Sequence, residues 1–238
     1  MAASTHDQLE LISKKKVFFA HQSVGQNLVD GVTKLAFDEH VMLRVVPYKP
    51  GALSEPGLVH AQNGVNGQPE TKLKGFGELL SQTEGADLAA MKLCYVDFTP
   101  DTDAAALFAK FKAAHDEVKQ KHPGLKVMVI TTPLTTVQRG LKAALKNKLG
   151  GGAYGERENV KRHQFNELIR KEYQGKEPFF DLAALESGSG TAACTFERDG
   201  QTWPCLRDEI TDDGGHLNAN GQRQLATAWV AALAEALR

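Results

Sequence analysis

The sequence predicts an α/β fold in which a parallel sheet is covered by helices on both faces. Three observations carry that expectation. Short apolar runs alternate along the whole chain with stretches of helical spacing, the order that builds parallel sheets through crossover helices. One of those runs, Leu125–Thr131 (LKVMVIT), reads as a strand buried on both faces. The length of 238 residues suits one domain with a full core, and no internal repeat or low-complexity segment divides it.

Taken in order, residues 1–15 read as an N-terminal extension to a single domain spanning 1–238. Val17–Ala20 is the first strand; after His21-Gln22-Ser23-Val24-Gly25, the residues Asn27, Leu28, Val32 and Leu35 continue with helical spacing. Val41–Val46 is the second strand. Pro47–Gln68, punctuated by prolines and glycines, reads as a long surface loop of the kind that often carries function. Pro69 suits the first position of a helix, with Lys72, Leu73, Phe76, Leu79 and Leu80 on one stripe. Ala86–Tyr95 is the third strand, and a helix follows from about Asp101 to Lys121 with Leu107, Phe108, Phe111 and His115 on one side. Leu125–Thr131 is the fourth strand, Glu158–Tyr173 an amphipathic helix and Phe179–Leu182 the fifth strand. Residues 191–205 read as a hairpin insertion turning at Arg198-Asp199-Gly200, with Cys194 and Cys205 placed to bridge across it. The last helix starts near Asn220 and sets Leu225, Trp229, Leu233 and Leu237 on one stripe.

Bulk properties narrow the function classes. A formal net charge of −1 gives no footing for nucleic-acid or membrane-surface binding. No apolar run approaches the roughly 20 residues that span a bilayer, so a soluble protein is expected, either cytoplasmic or periplasmic or secreted with its signal removed. A Cys194–Cys205 bridge would imply an oxidising compartment, and Cys94 reads as a buried thiol. The oligomeric state is open.

Two segments carry chemistry. Ser23 stands where a strand turns into a helix, a place of unpaired backbone N–H groups and an accessible hydroxyl. A serine there is also a common N-cap. Near the other end, Thr211-Asp212-Asp213-Gly214-Gly215-His216-Leu217-Asn218 supplies an imidazole with an acid three residues before it, across two glycines that permit a tight turn. A serine hydroxyl becomes nucleophilic when an imidazole takes its proton, and that imidazole needs an acid to fix its tautomer. Asp212 competes with Asp213 for that task. The rival chemistry is a metal site from Asp212, Asp213, His216 and His21, for which no second cluster supplies further ligands.

In these two motifs the chain resembles the SGNH (GDSL-type) hydrolases. His21-Gln22-Ser23-Val24 stands where that family has Gly-Asp-Ser-Leu, and Asp213-Gly214-Gly215-His216 matches its Asp-x-x-His. The resemblance implies a flavodoxin-like, three-layer α/β/α sandwich around a central parallel five-stranded sheet. It implies ester hydrolysis through an acyl-enzyme on Ser23, with His216 as base and then acid and Asp213 orienting it, and no metal or organic cofactor. The family's second motif is a glycine whose N–H faces the developing oxyanion, for which Gly67 is the match, with Gly64 behind it. Its third motif, Gly-x-Asn-Asp, corresponds to Cys94-Tyr95-Val96-Asp97, so Asp97 is kept while Val96 replaces the asparagine donor. Losing one such donor typically costs about 2.7–4 kcal/mol, and the amides of Asn63, Asn66 and Gln22 are the candidate replacements, Asn66 first. The family covers lipid esterases, acyl-thioesterases and carbohydrate deacetylases. The polar Gln62–Gln68 loop tilts the expected partner towards a small-molecule or carbohydrate ester. A catalytically weak or inactive ligand-binding protein using the same cleft, or an acyltransferase, remains open at this point.

Two patterns mislead. Gly150-Gly151-Gly152-Ala153-Tyr154-Gly155 spells Gly-x-Gly-x-x-Gly but follows a lysine-rich helical stretch, not a strand, so it reads as a flexible loop over the site. Gly-x-Ser-x-Gly is absent, because His21 stands two residues before Ser23.

Overall fold

Six parallel strands form the central sheet, in the spatial order β2-β3-β1-β4-β5-β6. They are β1 (Lys16–His21), β2 (Val45–Pro47), β3 (Gly57–Gln62), β4 (Leu88–Met91), β5 (Lys126–Ile130) and β6 (Phe179–Phe180). The computed structural model describes residues 3–83, 85–138 and 155–238. The Gly150–Tyr154 part of the glycine-rich stretch lies outside them.

The helices are α1 (Thr5–Ile12), α2 (Val24–Asp38), α3 (Pro69–Ser81), α4 (Ala104–Lys121), α5 (Glu156–Tyr173), α6 (Leu182–Ser187) and α7 (Ala219–Leu237). Alternate residues of β1 face opposite layers. Val17 and Phe19 join the core shared with α1, α2 and α7, whereas Phe18 and Ala20 join the core under α3, α4 and α5. That division makes the three-layer α/β/α sandwich. Trp229 of α7 is fully buried and packs on Phe19 with ring centroids 4.7 Å apart.

The sheet has six strands where five were expected. The additional one, β3, lies within the stretch read as a surface loop. Pro56 and Gly57 disguise its start, yet Leu58, Val59 and Ala61 are buried. It pairs with β1 along its whole length, from Lys16↔Gly57 to His21↔Gln62. The short β2 takes the sheet edge, where Pro47 is tolerated because its missing donor faces no neighbour. The expected N-terminal extension also needs correcting. Ser4 caps α1 through a reciprocal pair with Asp7, and Leu9 and Ile12 are buried in the core.

The hairpin at 191–205 is present as antiparallel β7 (Thr195–Arg198) and β8 (Gln201–Pro204). Asp199 and Gly200 both have positive φ, 53° and 73°, as a tight two-residue turn matched to strand twist demands. Cys194 and Cys205 are bridged, with Cα atoms 5.1 Å apart, and Cys94 is a buried free thiol. Among the described residues no helix is long and apolar enough to cross a membrane.

This strand order places the functional end. The chain leaves β1 towards β2 on one side and later returns to β4 on the other. The carboxyl end of β1 is therefore a topological switch point, where open α/β sheets bind their ligands. Ser23 follows β1 by two residues.

Candidate active site

The turn that carries Ser23 is tight and strained. The Gln22 carbonyl accepts from the Gly25 N–H at 3.0 Å, and Ser23 between them has φ 53° and ψ −115°. That is the first central position of a type II′ turn, which favours glycine. A side chain held there costs of order 1–3 kcal/mol. Gly25 lets α2 begin this close to the sheet, since a Cβ on it would lie 2.3 Å from the His21 Cβ. The result is a hydroxyl standing at the positive end of a 15-residue helix.

The Asp213–His216 turn comes to meet it. Ser23 Oγ lies 2.6 Å from His216 Nε2, and His216 Nδ1 lies 2.6 Å from Asp213 Oδ2. An ionised carboxylate only accepts, so Nδ1 carries the ring proton and Nε2 turns its lone pair to the serine. Asp213 Oδ1 accepts from the N–H groups of Gly215 (2.9 Å) and His216 (2.8 Å). Partial burial works to raise the Asp213 carboxyl, but these two N–H groups and the imidazole outweigh it and hold the carboxyl down at about 2. Asp212 is instead an acceptor for Asn218 Nδ2 at 3.3 Å, so the orienting geometry belongs to Asp213.

Residues that sequence reasoning passed over hold this turn in place. Asn27, one helical turn after Ser23, accepts from the Leu217 N–H at 3.0 Å and so ties the imidazole loop to the serine helix. The Thr136 N–H donates to the Gly214 carbonyl at 2.9 Å. Gly214 has φ 86°, and a Cβ there would meet Thr136 Oγ1 at 2.6 Å. Asn27 fell within a helical pattern and Thr136 within unpatterned chain, and neither carries a local signal.

Of the residues expected at an oxyanion hole, Gly67, Asn63 and Gln22 donate elsewhere, while Asn66 is held through its carbonyl oxygen. The Gly67 N–H donates to Asp97 Oδ1 at 2.9 Å, so this expected oxyanion donor is committed elsewhere. Asn63 is buried and gives Nδ2 to the Lys72 carbonyl at 2.9 Å, and Gln22 Nε2 donates to the Gly64 carbonyl at 2.8 Å. Asn66 is exposed, and its Oδ1 accepts from Lys72 Nζ at 2.9 Å. These contacts centre on one buried ion pair. Lys72 Nζ reaches both carboxylate oxygens of Asp97, at 2.8 and 2.7 Å, with side chains 1% and 0% exposed. Asp97 also accepts from the Cys94 N–H at 2.7 Å. The pair thus welds the Gln62–Gln68 loop, α3 and the end of β4 into one scaffold. Among the described residues, no hydrogen bond leaves the Ser23 N–H, which stays available at the mouth of α2.

His21, placed in the rival metal set, turns elsewhere. It is buried, and its Nε2 lies 3.0 Å from His60 Nδ1 of β3. Burial, helped by the charges of His60 and Lys92, pushes it down to about 3, so it is neutral at ordinary pH. Among the described residues, no three His, Cys, Asp or Glu side chains gather to hold a metal ion.

No protein-family model matches the chain. No curated protein sequence matches it either. Solved structures do. A lipase/acylhydrolase from Enterococcus faecalis is 16% identical, with a TM-score of 0.55 over 93% of this chain and 96% of that one. A protein described as a GDSL-like lipase, from Parabacteroides merdae, is 14% identical, with a TM-score of 0.54 over 94% and 98%. A structure titled as a peptidoglycan O-acetylesterase is 17% identical, with a TM-score of 0.50 over 77% of this chain but 48% of its own. These likenesses, together with the parallel sheet and its two helical layers, give this chain the SGNH-type hydrolase fold.

Proposed function

We propose that the protein is a serine hydrolase that cleaves carboxylic esters through Ser23, His216 and Asp213. The observation that carries this reading is the continuous Ser23 Oγ–His216 Nε2 and Nδ1–Asp213 Oδ2 chain, each link 2.6 Å, at the carboxyl end of β1. In the proposed reaction, Ser23 Oγ attacks the ester carbonyl as its proton passes to Nε2. The oxyanion forms at the mouth of α2, where the Ser23 N–H and the helix dipole favour negative charge. The intermediate collapses as Nε2 returns the proton to the leaving oxygen. Water then repeats the sequence and releases the acid. The Asp213 carboxylate, held at about 2, stays charged throughout and stabilises the imidazolium.

The exposed loop beside Ser23 is polar, with Gln62, Asn66 and Gln68 at its surface. That favours a short acyl group on a polar alcohol, such as an acetylated carbohydrate. Two of the similar structures carry names in the same chemical range, an acylhydrolase and an O-acetylesterase.

The test is hydrolysis of p-nitrophenyl acetate by purified protein. Ser23→Ala should abolish it, and Asp213→Asn should lower kcat by roughly 10²- to 10⁴-fold, well beyond Asp212→Asn. Unchanged turnover in Ser23→Ala would remove the reading.

A further inference from the structure

A phenol shares the base with the serine. Tyr95 begins the short helical turn Tyr95–Asp97 beyond β4, and its hydroxyl lies 3.4 Å from His216 Nε2. Its ring meets the imidazole edge-on, with centroids 5.7 Å apart and planes at 74°. Gly215 is the residue that admits it, since a Cβ there would lie 2.8 Å from Tyr95 Cζ and 3.0 Å from its hydroxyl oxygen. From behind, the buried Arg162 donates Nε to the Tyr95 carbonyl at 3.0 Å, and its guanidinium sits 5.8 Å from the ring centroid. Arg162 is itself anchored through Nη1 to Thr135 Oγ1 at 2.9 Å and Asn159 Oδ1 at 2.6 Å. The phenol is therefore delivered to Nε2 by a built support.

What can a hydroxyl do at that place? At 3.4 Å it is too far from Nε2 to be its main partner, and Ser23 already takes the nitrogen at 2.6 Å. On the reading above, Nε2 must also meet the leaving oxygen of the ester, which has to come within hydrogen-bond reach of it. An oxygen arriving at Nε2 beside Ser23 Oγ enters the reach of the phenol as well. The attacking water of the second half-reaction occupies the same place.

We propose that Tyr95 is a catalytic residue on the alcohol side of the site: its hydroxyl donates a hydrogen bond to the leaving oxygen as the carbon–oxygen bond breaks. The proton that oxygen acquires still comes from Nε2, and Tyr95 keeps its own. A phenol O–H is a hydrogen-bond donor, and a hydrogen bond to an oxygen gaining negative charge is stronger than one between neutral groups. The role matters most where the leaving group is a poor one, as for the alkoxide of a sugar or alkyl alcohol. It rests on the ester-hydrolase reading.

The experiment is Tyr95→Phe, which removes the hydroxyl and keeps the ring against Gly215. It is assayed on acetate esters that share one acyl group and differ in the alcohol, from p-nitrophenyl through phenyl to alkyl. With p-nitrophenyl acetate, kcat/KM should stay within about threefold of wild type, because nitrophenolate leaves unaided. With alkyl acetates it should fall about 10- to 100-fold, so that log kcat/KM falls more steeply with leaving-group pKa. Stoichiometric labelling of Ser23 by a fluorophosphonate in Tyr95→Phe, at the wild-type rate, establishes that the serine and base are assembled. A uniform loss across the series would overturn the proposal and assign the hydroxyl to the oxyanion or to packing. An unchanged series would overturn it too. If Ser23→Ala retains turnover, the ester-hydrolase reading falls and Tyr95 with it; if Ser23→Ala is dead and the Tyr95→Phe slope is that of wild type, Tyr95 alone falls.

Discussion

Acid should unfold this protein through His21, and the size of the effect can be worked out. His21 sits at the end of β1, stacked on Phe19 with centroids 4.9 Å apart and facing His60 across the sheet. Its Nδ1 is buried, with no hydrogen-bond partner among the described residues. The charged ring carries a proton on both nitrogens, and burial, with the charges of His60 and Lys92, disfavours that form and lowers this group from 6.5 to about 3. The sign follows from linkage. Between those two values the unfolded chain binds a proton that the native state refuses, so stability is fully present above about 6.5 and is lost as pH falls towards 3. Each pH unit in that window costs about 1.4 kcal/mol, or about 3 kcal/mol by pH 4.5. His60, lowered by its own burial, acts in the same direction. The assay is urea unfolding followed by circular dichroism between pH 7 and 4.5, for wild type and for His21→Phe, which keeps an aromatic ring and cannot titrate. The slopes are compared and not the absolute stabilities, so any packing cost of the new ring cancels. The wild-type slope should exceed that of the variant by about 1 kcal/mol or more per unit. Equal slopes would refute the reasoning and mean that His21 finds a proton acceptor in the folded protein.

Two further outcomes concern the scaffold. Lys72→Met leaves the Asp97 carboxylate buried and unpaired, and should cost about 3–5 kcal/mol by chemical unfolding; Lys72→Met with Asp97→Asn should recover much of that loss, and a double variant no better than the single would mean that the two groups do not act as a pair. Reducing the Cys194–Cys205 bridge, which closes an 11-residue separation, should lower stability by about 3 kcal/mol on the loop-entropy account. Thiol counting on denatured, unreduced protein should find one free cysteine, Cys94.

Much of the layout is legible in the sequence because it rests on local pattern. Apolar runs marked β1, β4, β5 and β6, although Ala86–Tyr95 contracts to Leu88–Met91, beyond which the Cys94 N–H turns to Asp97. Pro69 and the stripe after it gave α3 its start. The spacing of Asp213 and His216 anticipated a turn that joins them, and the glycines between them are used as expected. What escaped detection depends on partners distant in the chain. β3 is hidden because its ends resemble turns and its middle declares itself only once β1 and β2 flank it. Lys72 falls on the α3 stripe in the sequence, but its role is not legible there, because its partner Asp97 lies 25 residues on. That pair also explains much of the polar character of the Gln62–Gln68 loop, since the Asn66 carbonyl oxygen and the Gly67 N–H both serve it. Tyr95 lies inside Cys94-Tyr95-Val96-Asp97, but a tyrosine there carries no local signal, and its place beside His216 depends on a loop 121 residues away.

The serine and the imidazole that meet at 2.6 Å are 193 residues apart in the chain. At synthesis rates of about 5–20 residues per second, a ribosome that has made Ser23 works for roughly 10–40 s before it makes His216. During that interval β1 and α2 can form, and the hydroxyl can already stand on its strained turn, but nothing is there to take its proton. The imidazole loop leads directly into α7, whose Trp229 packs on Phe19 of β1. On the proposed reading, the competence of the site is therefore tied to the completion of the fold: a nascent, truncated or C-terminally unravelled chain carries the nucleophile in an inert form, and the arrival of the last helix switches it on.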